Sequence, residues 1–252
     1  MNETVPLAAF GVLMVRPGAL IVATPLFGGT FVPPSVRLAL TAILAVILVP
    51  LVTVPANLPP LAFAVMLAGE ALAGFALGFA VHALIAAAEF AGHVVGFQIG
   101  LSYAAIVDPQ SGVRNNVIAT LYGTLATITF FGINGHLALM KTLVDSYTAL
   151  PPGHWGVQAS MLTSITHLLG VVFVLGTQLS MPIVIAMLLV ELVLGLVSRA
   201  APALNLMVIG FPVRLSIGLL VLALGIYVVP EAVAKYAPEA LSSATRLVGA
   251  IR

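Results

Sequence analysis

LAFAVMLAGEALAGFALGFAVHALIAAAEFAGHVVGFQIGL, residues 61–101, carries four ionisable side chains: Glu70, His82, Glu89 and His93. Forty residues of helix reach about 60 Å, twice the roughly 30 Å hydrocarbon core of a bilayer. The surrounding chain is of the same kind, with 61% hydrophobic and 7% charged residues. A soluble domain is about 45–50% apolar, and 252 residues folding in water would need far more charge to cover their surface. The composition therefore predicts an all-α, multi-pass helical membrane or assembly protein with long kinked helices and hairpins. A run of this length must fold back, kink or project beyond the bilayer, and Gly92, Gly96 and Gly100 are its soft points.

Working outward, five further apolar blocks appear. The first, 5–27, is interrupted at Arg16-Pro17, and the second, 38–58, has no charge and reads as the cleanest spanning segment. Blocks at 117–140, 159–198 and 204–229 follow; Pro182 offers a bend in the fifth, and Pro212 and Arg214 lie in the sixth. A weakly amphipathic tail, EAVAKYAPEALSSATRLVGAIR, is expected to break at Pro238. Counting six spans undercounts the helices. If the blocks alternate, Arg37, Arg114 and Arg199 collect on one side and Lys141, Lys235, Arg246 and Arg252 on the other. That near-tie leaves the positive-inside rule little to act on, as suits a subunit positioned by partner proteins. A net charge of +1 gives no basic field for nucleic acid, and the absence of cysteine excludes disulfides and thiol chemistry. Glu3 stands where a signal peptide wants positive charge, so MNETVPLAAFGVLM is not read as cleaved.

Arg16, Glu70, Glu89, Glu191, Arg199 and Arg214 lie inside or at the ends of apolar blocks. Each would cost about 2.5–3.5 kcal/mol at a bilayer centre, so each should face protein, water or an opposite charge. In the long run, Glu70, Gly74, Gly78 and His82 recur at four-residue spacing, and Glu89, His93, Gly96 and Gly100 continue the stripe. Small residues let helices approach closely where hydrophobicity gives no drive, so the first reading is a packing seam. The alternative is a proton or ion path through Glu70, His82, Glu89 and His93 in a small-molecule or ion carrier. Glu89 and His93 form an i, i+4 pair but have no third ligand and no His-Glu-x-x-His, so a metal site is not supported. No Gly-x-Ser-x-Gly elbow marks a protease.

Three other stretches look specified. AIVDPQSGVRNNV, 105–117, is a polar insert flanked by apolar runs. FFGINGHLALMKTLVDSYTALPPG, 130–153, reads as a turn, an amphipathic segment and a second turn. ELVLGLVSRAAPALNLMVIGFPVRLSIGLL, 191–220, reads as two helices joined at a polar elbow. Arg199, Pro202 and Asn205 precede a break at Gly210-Phe211-Pro212, with Glu191 and Arg199 available for partner charges.

Together with PLFGGTFVPPSVRLALTAILAVILVP, 25–50, and GFQIGLSYAAIVDPQSG, these stretches resemble the FliR family, the R subunit of the flagellar type III protein-export gate, with SctT-like relatives in injectisomes. The match spans most of the chain, and its closeness favours the flagellar branch. The resemblance implies a non-enzymatic, cofactor-free subunit at the flagellar basal body in the bacterial inner membrane. Its partners would be FliP-like and FliQ-like gate subunits, FlhB-like and FlhA-like export components, membrane lipid, and unfolded flagellar proteins in transit, with no nucleic acid. Driving energy would come from a cytoplasmic ATPase and the proton-motive force. A FliP-like portion would cover 1–158, a FliQ-like helical hairpin 159–229 and an amphipathic tail 230–252. The resemblance also implies that the loop at 102–116 plugs the closed channel, with Ser102, Asp108, Pro109, Gln110, Ser111, Gly112, Arg114 and Asn115 in the match region. Glu70, Gly74, Gly78, His82, Glu89, His93, Glu191, Arg199, Pro202, Asn205, Gly210 and Pro212 are the expected packing and assembly positions.

Overall fold

The computed structural model describes residues 4–28, 32–55, 58–101, 116–154, 156, 160–201 and 206–251, with backbone alone for 4–8 and 206–208. Among these residues the chain forms nine α-helices: α1 Thr4–Ala23, α2 Pro25–Gly28, α3 Pro34–Leu48, α4 Pro60–Ile99, α5 Val117–Gly132, α6 Gly135–Ala149, α7 Ser160–Ala200, α8 Leu206–Gly225 and α9 Val228–Gly249. Three of them, α2, α3 and α4, open on proline. At the first helical position a missing N–H is harmless and the fixed φ already suits the helix.

The two longest apolar runs are continuous helices of 40 and 41 residues, and α7 passes through Pro182. The expectation of a fold-back therefore gives way to length. The 38–58 block does not form the spanning helix expected of it: α3 has 15 residues and stops at Leu48. Pro50 offers no N–H to the Val46 carbonyl, and Leu51 and Val52 instead donate to Leu48 at 2.9 and 3.0 Å. Block four is divided at Asn134, which adopts a left-handed conformation with φ 59° and separates α5 from α6 with a 70° bend. Among the described residues two helices, α4 and α7, are long and apolar enough to cross a membrane. Up to four spans result if each bent pair, α5–α6 and α8–α9, counts as one.

Two further expectations need correction. Gly210-Phe211-Pro212 does not break the chain but lies inside α8. The C-terminal segment does not break at Pro238, which sits within α9. Val229, Val233, Ala237, Ala240, Ala244, Leu247 and Val248 form a buried face at helical spacing, so its amphipathicity is marked rather than weak.

The chain divides into two compact units. The first comprises residues 1–84, 130–170 and 236–252. There α1 packs on α3, with Thr41 Cγ2 in ordinary contact range of Gly18. The second comprises 85–129 and 171–235. In it, the later turns of α4 meet α5 where Gly92 faces Ala119, and meet α7 where Gly176 faces Phe90. They meet α8 where Gly218 faces Ile99. At Gly176 the Phe90 ring also meets Phe173 edge-on, with centroids 5.6 Å apart.

Candidate functional site: a buried ion pair beside small-residue seams

Arg16 follows from the cost of burying a guanidinium. It sits two turns from the end of α1, fully buried in the first unit, and must find partners for its five N–H donors. Nε donates to Glu70 Oε2 at 2.9 Å and Nη2 to Glu70 Oε1 at 2.7 Å, a forked pair. Nη1 donates to Ser146 Oγ at 2.9 Å, and Nη2 also donates to the Leu150 carbonyl at 2.8 Å. The Tyr147 ring covers the guanidinium face, 3.9 Å from its central carbon. Side-chain exposure is 0% for Arg16 and 3% for Glu70. One charge cluster thus ties α1, α4 and the end of α6 together.

Next to it, α4 lies so close to α1 that side chains are excluded. A Cβ on Gly74 would overlap the Arg16 carbonyl oxygen and stand 2.9 Å from Ala19 Cβ. One on Gly78 would stand 2.6 Å from Ala23 Cβ and 2.7 Å from the Leu20 carbonyl. Contacts this tight are how apolar helices associate without help from water. Four residues on, the stripe leaves this seam: His82 is exposed, as are Glu89 and His93. In the second unit, Gly92 and Gly96 form the contact with the start of α5. There the Asn116 amide donates to the carbonyls of Gly92 and His93, both at 3.3 Å, and its oxygen accepts from Ile118 N at 3.0 Å. Asn116 therefore caps α5 while holding it to α4.

Gly123 lies under Glu89, where a Cβ would come within 2.7 Å of the carboxylate. The Glu191 carboxylate lies 3.7 Å from Arg214, with side-chain exposures of 43% and 44%. Arg199 is exposed at the end of α7, Gly210 is buried where a Cβ would stand 3.8 Å from Leu194 Cδ1, and Pro212 is exposed on α8. Ser102, Asp108, Pro109, Gln110, Ser111, Gly112, Arg114 and Asn115 lie outside the described residues, as do Pro202 and Asn205. Among the described residues, no three His, Cys, Asp or Glu side chains gather as a metal site.

The residues that sequence reading leaves out of the expected set are Arg16, Asn116 and Gly123. The cost of an intramembrane charge points to Arg16, and opposite sign could match it to Glu70. No local spacing can, because they are 54 residues apart.

The sequence model of the family described as bacterial export proteins, family 1, matches residues 7–239. The flagellar biosynthetic protein FliR of Escherichia coli (strain K12) is 36% identical over 213 residues, 83% of this chain and 81% of that protein. Its counterpart in Bacillus subtilis (strain 168) is 31% identical over 260 residues, 99% of each chain. The Pectobacterium carotovorum protein is 31% identical over 220 residues, 86% of this chain and 83% of that protein. Matches that run nearly end to end, on an all-helical chain with spanning-length helices, establish that the chain belongs to the FliR family, as a non-enzymatic multi-pass protein of the flagellar export apparatus in the inner membrane.

Proposed function

We propose that this chain is a closing subunit of the export gate, completing a channel of FliP-like and FliQ-like subunits through which unfolded flagellar proteins pass. The observation that carries this reading is α7. Its most apolar stretch is 17% buried, against 67% for α4, and Phe173, Ile185, Leu188, Leu192 and Leu196 all face outward. A 41-residue helix reaches about 60 Å, and a bilayer covers roughly half of that. The remaining apolar length needs protein against it. In this reading 1–158 is the FliP-like portion and 159–229 the FliQ-like hairpin, built from α7 and α8. The segment 230–252 is the tail, and FlhB-like and FlhA-like components lie nearby. The polar insert at 102–116 acts as a plug, its wettable side chains suiting a segment that meets the secretion path.

Co-expression tests the assembly. The chain should be recovered with FliP- and FliQ-like proteins in fixed ratio, and a stable, monodisperse monomer in detergent would overturn the reading. Shortening the insert within 102–115, which spares the Asn116 cap, tests the plug and should leave an assembled complex that leaks small solutes at rest. Ser111→Cys, paired with a cysteine in a partner's pore-facing loop, should crosslink and stop export until reduced; the absence of native cysteine keeps that test clean. Unchanged permeability together with free labelling of Ser111→Cys from water reduces the insert to an ordinary loop.

A further inference from the structure

Ser160, Thr163, Ser164 and His167 occupy i, i+3, i+4 and i+7 on the first two turns of α7, and Ser243 and Arg246 lie three apart on α9. Together these six side chains, all in the first unit, line an open cavity of about 280 Å³. Four are hydroxyls, one is a guanidinium and one an imidazole. No carboxylate occurs among the described residues that line it.

Ser243 is the telling member. A serine inside a helix usually turns its hydroxyl back onto a carbonyl three or four residues earlier. Ser164 does so onto Ser160 at 3.0 Å, and Ser242 onto Glu239 at 2.9 Å. Ser243 does not: it is 4% exposed, and its Oγ has no hydrogen-bond partner. A buried, unsatisfied hydroxyl is costly and is rare in native structures. The residue lines a cavity that already holds donors. Arg246 gives one of its five N–H groups to Ser242 Oγ at 3.1 Å. The amino end of α7 adds the positive end of its helix dipole.

We propose that this cavity binds a phosphate group. Arg246 supplies the charge, assisted by the amino end of α7; the Ser243 and Thr163 hydroxyls and His167 donate around it. Donors arriving from two helices surround a tetrahedral anion more evenly than a flat carboxylate. Phosphate can come from a phospholipid head group or from free inorganic phosphate. A lipid would find an apolar surface on the same helix, where Leu162 and Leu169 are exposed.

The test uses the full chain co-purified with its partner subunits in a phosphate-free maltoside buffer. Melting temperature is followed as inorganic phosphate, phosphatidylglycerol or phosphate-free monoolein is added, in the parent, in Arg246→Gln and in Ser243→Ala. Ser243→Ala deletes a hydroxyl that has no partner, so the unliganded melting temperature should hold or rise. A saturable rise is expected with phosphatidylglycerol, inorganic phosphate or both, and none with monoolein. Arg246→Gln should weaken apparent affinity about tenfold or more, as befits loss of a charge-assisted bond, and Ser243→Ala several-fold. A response to the lipid alone assigns a head-group site; a response that includes free phosphate assigns the anion itself. No saturable rise with either phosphate probe, an equal rise with monoolein, or affinity unchanged in either variant overturns the proposal.

Discussion

Replacing Glu70 with Gln keeps the shape of the side chain and removes its charge. If the residue served only to fill a helix seam, the change would be mild. Its place against Arg16 predicts the opposite. The guanidinium is fully buried and directs two of its four hydrogen bonds to this carboxylate. In Glu70→Gln one of those bonds must meet an amide NH2, and the cation loses its counter-charge. Breaking a buried pair from one side costs about 3–5 kcal/mol, a large share of a typical stability of about 5–15 kcal/mol. For a chain of this size that corresponds to a fall in melting temperature of roughly 6–20 °C. Arg16→Met should cost about as much, since it strands the carboxylate. The double variant Arg16→Met/Glu70→Leu exchanges the pair for apolar bulk and leaves the Leu150 carbonyl short of a donor, a loss of about 1–3 kcal/mol. It should therefore be more stable than either single variant. Thermal melts of the partner-bound complex, with membrane levels alongside, measure all three. Suppose both single variants stay within about 1 kcal/mol of the parent and the double is no better. Then the cluster is not a buried charged pair, and stranding one of its members carries no desolvation cost.

Gly74→Ala should cost about 1–3 kcal/mol because its methyl meets the Arg16 backbone, which cannot rotate away. Immunoblots of membrane fractions should show less Gly74→Ala protein than parent, while Gly170→Ala, where a methyl meets nothing within 4 Å, should leave the level unchanged. Asn134→Gly should preserve the bend between α5 and α6, whereas Asn134→Val should lose about 1–2 kcal/mol at this left-handed position, read as reduced complex yield. His82→Asn and His93→Asn should leave export-dependent motility intact; loss of motility with assembly preserved would restore an ion path along α4.

Much of the helical character is legible in the sequence because apolar runs of this length admit few other structures. Where helices stop is less so. Hydropathy carries 38–58 through Pro50, since proline counts for little on such scales, yet its missing N–H ends α3. In α9 the buried positions are mostly Ala and Val, and the outward ones include Ala234 and Pro238. The contrast between faces comes from Glu231, Lys235 and Arg246 on the outer side, and it shows only when the segment is followed through Pro238 as one helix. Pro238 suggests a break, but it falls on the exposed side, where a bend costs no packing. The seam at Gly74 and Gly78 can be located from four-residue spacing. The Arg16 cluster cannot, because its members come from three distant parts of the chain and are related by charge rather than by period. Gly123 is a similar case: its need to be small comes from Glu89 on another helix.

The distances along the chain within that cluster also set a timetable. Translation proceeds at about 5–20 residues per second. Glu70 follows Arg16 by 54 positions, and Ser146 by 130. For roughly 3–11 s after α1 leaves the ribosome, its guanidinium has no counter-ion, and roughly 7–26 s pass before the Ser146 hydroxyl follows. A lone α1 has reason to wait at the lipid head groups, or in the care of an insertase, rather than commit to the membrane interior. The arrival of α4 supplies both the neutralising carboxylate and the glycine groove that receives α1. Biogenesis of this half of the molecule is therefore a two-helix event, with α1 entering as the partner of a segment made later.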